Sequence, residues 1–152
     1  MKGPLCFALL LLMADASSAG EPLQIKEQEL SLGGVALGDT ETSVLRKLGR
    51  PARRTDIGDF LNIRLDYPGL TVWLDEGRRV GEVLSTSKRH CTPSGICPGM
   101  SFARAKARYG APLVSPRQED IFMEYPSSES SCWLQLATRK GTIKSLRAEC
   151  QP

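Results

Sequence analysis

The chain has a single histidine, His90, in 152 residues, and that scarcity removes much of the usual catalytic repertoire. There is no HExxH metal motif, no GxSxG nucleophile elbow and no glycine-rich phosphate loop. Paired CxxC clusters of the zinc-binding kind are missing too, so the sequence implies no metal and no cofactor. His90 stands beside Cys91, but adjacent residues in extended chain point apart and make no base–nucleophile pair. The acid pairs Asp56/Asp59, Asp75/Glu76 and Glu119/Asp120 fall in turn-like segments, where Asp supports the backbone. A large excess of either charge is lacking as well. Twenty Lys and Arg face seventeen Asp and Glu, a net of +3, with no concentrated basic stripe of the nucleic-acid-binding kind. The chain reads as a binding or structural protein and not as an enzyme.

Apolar runs are equally few. One spans Leu5 to Met13, preceded by Lys2 and followed by Ser17-Ser18-Ala19. That is the anatomy of a secretory signal peptide, and the run is too short to cross a bilayer. Cleavage is expected after Ala19, with Ala16 as the close alternative. Loss of the first 19 residues from 152 leaves 133, beginning at Gly20, enough for one compact domain. No cysteine follows the run at a lipidation position, and no later stretch approaches the length of a transmembrane segment. The expected location is the periplasm or the medium.

With Cys6 in the leader, four cysteines remain, and an even number in an exported chain reads as two disulfides. Four cysteines allow three pairings. Cys91 and Cys97 bracket Thr-Pro-Ser-Gly-Ile, a natural small ring, and Cys132 and Cys150 flank what reads as one hairpin. If paired residues in that hairpin sum to 282, Leu136 faces Leu146, Leu134 faces Ala148 and Cys132 faces Cys150. Gln135 then faces Arg147 on the other side. One register satisfies both hydrophobic alternation and disulfide reach, which favours the 132–150 bridge.

What the chain has in quantity is self-similarity. Leu37-Gly38-Asp39, a helix-like run and Leu48-Gly49-Arg50-Pro51 are answered about 60 residues later. The second copy is Pro98-Gly99-Met100, another run, and Tyr109-Gly110-Ala111-Pro112. Tyr67-Pro68 returns as Tyr125-Pro126, and Trp73-Leu74 as Trp133-Leu134. The expected organisation is an extended lead-in over 20–36, a first repeat over 37–90 and a second over 91–150, sharing one core.

Each repeat reads as a helix followed by three strands. Thr40 or Thr42 caps a helix through Leu48, with Val44, Leu45 and Leu48 as its apolar stripe; Ser101 caps one through Tyr109, with Ala103, Ala107 and Tyr109. Gly49 with Pro51, and Gly110 with Pro112, stop the two helices. Leu61, Ile63, Leu65 and Tyr67 alternate with polar residues, as do Leu70, Val72 and Leu74, before a strand around Arg79 to Thr86. Ile121 to Tyr125, Leu134 to Leu136 and Thr142 to Cys150 follow the same plan. The first repeat's last hairpin has no clean register, and Glu82 faces inward in the obvious one. The lead-in is expected to add an edge strand over Leu23–Lys26 or Glu29–Leu32. The fold class is α+β: two tandem helix-plus-antiparallel-meander repeats forming one sheet, with both helices packed on one face.

The Gly99-Met100-Ser101 helix start and the Gly110-Ala111-Pro112 stop resemble those of the SmpA/OmlA family of outer-membrane lipoproteins. The doubled arrangement, over roughly residues 35–150, resembles the β-lactamase inhibitor protein fold, in which two such units form one saddle-shaped sheet. Two departures stand out. The lipidated cysteine of the SmpA group is absent, and Asp39 stands where the first repeat's Met would sit.

Alternation places Trp73 and Trp133 opposite the aliphatic rows, at equivalent positions of the repeats, with Phe122 and Phe60 beside them. Aromatics on such a surface are the usual anchors of a protein–protein interface, and Arg64, Asp66, Gln135 and Arg147 would form a polar rim. The competing reading is that the lead-in covers this face or that both tryptophans are core. The expected function is an exported protein-binding module, an inhibitor of an exported enzyme or an accessory of envelope assembly. The alternative is a structural envelope protein touching membrane or peptidoglycan through Arg46, Lys47, Arg50, Arg53, Arg54, Arg104, Lys106 and Arg108, which more simply form a solvated helix face.

Overall fold

The computed structural model describes residues 23–117 and 119–151, so the expected signal peptide lies outside the described residues. Two eight-residue helices, α1 (Glu41–Leu48) and α2 (Phe102–Tyr109), each precede four strands. Two tiny strands, β1 (Ser31–Leu32) and β2 (Val35–Ala36), form a separate hairpin. After α1 come β3 (Arg53–Asp56), β4 (Ile63–Tyr67), β5 (Leu70–Leu74) and β6 (Val80–Ser85). After α2 come β7 (Leu113–Arg117), β8 (Asp120–Pro126), β9 (Cys132–Arg139) and β10 (Thr142–Cys150). The eight strands make one antiparallel sheet in the order β3-β4-β5-β6-β10-β9-β8-β7, so the two halves meet where β6 pairs with β10.

Both helices are short because their stops are strong. Gly49 at φ 78° and Gly110 at φ 85° sit in the left-handed region that other residues avoid, and prolines follow two residues on. Tyrosine hydroxyls then satisfy the free carbonyls: Tyr67 donates to Gly49 O at 3.1 Å and Tyr125 to Gly110 O at 3.0 Å. Burial pushes the Tyr125 hydroxyl up to about 12. Thr40, not Thr42, caps α1, its Oγ1 accepting from Ser43 N at 3.2 Å. Ser101 occupies the cap position of α2, but its side chain makes no capping bond.

Several expectations change. Each half has four strands, not three. The extra ones, β3 and β7, lie at the sheet edges and lack an apolar alternation. β7 carries Pro116, which cannot donate to a ladder and is tolerated only at such an edge. The inward residues of α2 are Phe102, Ala105 and Tyr109, spaced three and four apart, while Ala103 and Ala107 are exposed. On α1 Val44 and Leu48 pack inward and Leu45 stays exposed.

Register is where the pattern speaks most clearly. Leu136↔Leu146, Gln135↔Arg147, Leu134↔Ala148 and Cys132↔Cys150 all pair across β9 and β10. Beyond Ser145 a bulge at Lys144 shifts the pairing by one, so the turn is centred on Lys140-Gly141 instead of on Gly141. A matching bulge at Gly81 lets Val80 face Leu74 while Glu82 faces Trp73, which turns Glu82 away from the core. Disulfides join Cys91 to Cys97 and Cys132 to Cys150.

The lead-in does not extend the sheet. Ile25 makes only an isolated bridge to Ser127, and residues 27–29 form a 3-10 turn. Leu30, Leu32 and Val35 are buried in the same core as Leu65, Val72, Leu134 and Leu146. Their burial outweighs the edge hydrogen bonds an added strand would make. Polar ties fix the segment as well: Tyr109 donates to Glu29 at 2.7 Å, and Ser127 and Ser130 donate to Glu27, each at 2.6 Å. Burial, reinforced by the Glu29 carboxylate, holds the Tyr109 hydroxyl far above its usual range.

Candidate functional site

The inward rows of the sheet, with Val44, Ala105 and Tyr109 from the helices, make one buried cluster. Trp73, Trp133 and Phe122 are not part of it; all three are half-buried on the opposite side of their strands. The lead-in residues Leu30, Leu32 and Val35 also belong to the cluster, so the described lead-in does not cover these aromatics.

Strand pairing sets the two tryptophans in a single cross-strand row. Trp73 on β5 faces Glu82 on β6, Glu82 faces Glu149 on β10, and Glu149 faces Trp133 on β9. The order Trp–Glu–Glu–Trp is symmetric about the β6–β10 seam. Two carboxylates directly opposite each other repel, so each requires a partner. Arg147 supplies one, in an ion pair with Glu82. Glu149 instead accepts a hydrogen bond from Trp133 Nε1 at 3.1 Å.

Arginines lie over the rings. The Arg64 guanidinium is 5.6 Å and that of Arg147 5.9 Å from the Trp73 ring centre, and Arg117 is 5.0 Å from Phe122. Arg64 also pairs with Asp66 at 2.9 Å. Of the residues expected to form a polar rim, Arg64 is exposed, and Asp66 and Arg147 are half-buried. Gln135 is the exception. It is 7% exposed, and its Nε2 donates to Glu124 at 2.9 Å, so its polar end is already engaged on a central strand.

Phe60 departs from expectation differently. It sits in the loop between β3 and β4, not on a strand, and is 62% exposed. With Leu61, Val80, Glu82 and Glu149 it lines a groove of about 440 Å³ beside the tryptophan row. A smaller hollow of about 230 Å³ lies between Trp133, Pro126, Glu124 and Leu113. The groove leaves little trace in the sequence, because residues 57–60 carry no periodic signal and Leu61, which continues the alternation of Ile63 and Leu65, falls outside β4. Its one cue is the pair of bulky apolar residues, Ile57 and Phe60, beside Gly58-Asp59.

The basic residues of the alternative reading are exposed, but two are consumed. Lys47 pairs with Asp39 and Arg54 with Glu41. No cluster of His, Cys, Asp and Glu that would hold a metal occurs among the described residues.

Burial pushes the Glu82 carboxyl above its usual range, the Arg147 charge opposes this, and Glu149 adds to it. A raised folded-state value means that Glu82 stabilises the fold below its unfolded pKa. That contribution is lost as pH rises through the folded value. Arg147→Met removes the opposing charge. We expect it to cost on the order of 1–2 kcal/mol at pH 7, with much of the loss recovered near pH 4. Urea unfolding of both proteins at the two pH values measures this, and an equal loss at each would contradict it.

Neither a protein-family model nor a curated protein sequence matches the chain. Solved structures that share its fold include two of low sequence identity. One is a DUF4309 family protein, YjgB, from Bacillus subtilis, at 12% identity and TM-score 0.54, covering 78% of this chain and 83% of that one. The other is a cysteine-rich secretory protein, SAV1118, from Staphylococcus aureus, at 10% identity and TM-score 0.57. It matches 86% of this chain, which spans about half (49%) of that protein. At these identities the likeness concerns the fold alone. No helix among the described residues is long and apolar enough to cross a membrane, and the two disulfides fit a protein of an oxidising, extracytoplasmic compartment.

Proposed function

We propose that the chain is an exported protein-binding module whose working surface is the tryptophan-bearing face of its sheet. The observation that carries this reading is the Trp73–Glu82–Glu149–Trp133 row, outside the core and spanning the seam. Half-buried aromatics fixed in place, Trp73 under two arginines and Trp133 by its bond to Glu149, are rigid anchors that lose little entropy on docking. The partner is another exported protein, which the module inhibits or helps to assemble.

Matched contacts relate the two halves, although they set Val80 against Ile143 and so make Ala137, not Trp133, the counterpart of Trp73 in the repeat. The row arises from the β6–β10 pairing and not from equivalent positions. Gly38 N donates to Val80 O at 2.7 Å, and Gly99 N to Ile143 O at 2.8 Å. Glu41 N donates to Arg78 O at 2.9 Å, and Phe102 N to Gly141 O at 2.7 Å. We read these matched contacts, together with the matched tyrosine and glycine stops, as one SmpA/OmlA-like unit used twice. Both helices then pack on one face, as in the β-lactamase inhibitor protein, and the other face is left for a partner.

Site-specific photocross-linking tests the reading. A photoreactive residue at Thr71, in the sheet face beside Trp73, is compared with one at Ala107 on the exposed side of α2. Cross-links to one protein species from Thr71 alone support the proposal. Cross-links from Ala107 alone would move the working surface to the basic helices and favour the envelope-maintenance alternative.

A further inference from the structure

The two halves of the Trp–Glu–Glu–Trp row are not equally satisfied. On one side Glu82 has Arg147 as its ion-pair partner, and Trp73 lies under both Arg64 and Arg147. On the other side Glu149 has no ion-pair partner and Trp133 no cation over its ring, among the described residues. The sequence supplies the reason. β4 places Arg64 opposite Trp73, whereas β8 places Pro126 opposite Trp133.

Glu149 borders the groove of about 440 Å³, whose walls include the aliphatic and aromatic surfaces of Leu37, Phe60, Leu61 and Val80. Three carboxylates line it, Asp75, Glu82 and Glu149, against the single guanidinium of Arg79. Arg79 directs its Nη1 to Gly38 O at 3.0 Å and pairs with none of the three. Apolar walls ending at carboxylates match a side chain with a long stem and a cationic tip.

We propose, on the reading of the sheet face as a protein-docking surface, that this groove takes an arginine side chain of the partner, whose guanidinium pairs with Glu149. Its stem lies along Phe60 and Leu61, and its charge does for Glu149 what Arg147 does for Glu82. Arginine fits better than lysine because its planar fork can engage Glu149 and reach toward Glu82 together. A partner that presents a basic residue within an apolar patch is the kind this surface selects.

The test is a nitrogen-15 NMR titration of the mature protein with N-acetyl-arginine amide. N-acetyl-citrulline amide serves as the uncharged isostere. The Trp133 indole N–H reports directly, because it is bonded to Glu149. The expected result is a saturable shift of that signal with the arginine compound at up to roughly 50 mM, and none with citrulline. Glu149→Gln should weaken the response about tenfold and leave the Trp73 indole signal in place. Equal shifts from both compounds, no shift from either, or an unchanged response in Glu149→Gln would each overturn the proposal. Cross-linking from Thr71 combined with a failed titration would leave the docking face standing and remove only the arginine anchor.

Discussion

Replacing Cys132 and Cys150 with serine should lower stability by about 3 kcal/mol, against about 2 kcal/mol for the Cys91/Cys97 pair. The difference follows from the unfolded state. The first bridge closes a separation of 18 residues and the second a separation of 6, and chain entropy lost on cross-linking grows with loop length. The larger bridge also ties together β9 and β10, and β10 is the strand at which the halves meet. Urea unfolding of the two double-serine variants measures both costs. A variant lacking Cys132 and Cys150 that melts with the parent would contradict the assignment of stability to this bridge.

The second large effect lies in the lead-in. Leu32 is fully buried in the core, although its segment pairs with no strand of the main sheet. Leu32→Ala should therefore cost about 2–5 kcal/mol, the range for a fully buried leucine that leaves a cavity. A lead-in that merely decorated an edge would lose well under 1 kcal/mol. Thermal and denaturant unfolding separate the two, and a loss of the smaller size would show that residues 30–36 pack less tightly than the structure describes.

What the sequence disclosed and what it hid divide along physical lines. The β9–β10 register was legible because Leu134, Leu136, Leu146 and Ala148 alternate cleanly and two cysteines had to meet. The face of the tryptophans was legible for the same reason, since Trp73 lies between Val72 and Leu74, both fully buried. Bulges were not legible. Gly81 and Lys144 each insert one residue without altering the pattern on either side, and the first of these sent Glu82 to the tryptophan face. The edge strands were hidden too: Arg53–Asp56 is stabilised by β4 and by pairs such as Arg54 with Glu41, not by an apolar face of its own. The lead-in misled because a short stretch such as Leu30 to Val35 reads alike as an edge strand and as a core plug. Tertiary burial decides between them.

The tryptophan row itself required both levels. Each Trp could be placed on its strand from alternation alone. Their alignment with Glu82 and Glu149 depends on the β6–β10 pairing, a contact between residues 67 positions apart that no local pattern encodes.

The proposed role of Trp73 and Trp133 as a protein-docking surface is decided by affinity capture from envelope extract with the parent and with Trp73→Ala/Trp133→Ala. Circular dichroism and melting are checked first. The expected result is a variant that folds and melts close to the parent, yet loses one specific captured protein through a weakening on the order of 2 kcal/mol or more. An unfolded variant would place both rings in the core. Capture that persists undiminished in a folded variant would contradict the sheet face as the site of binding.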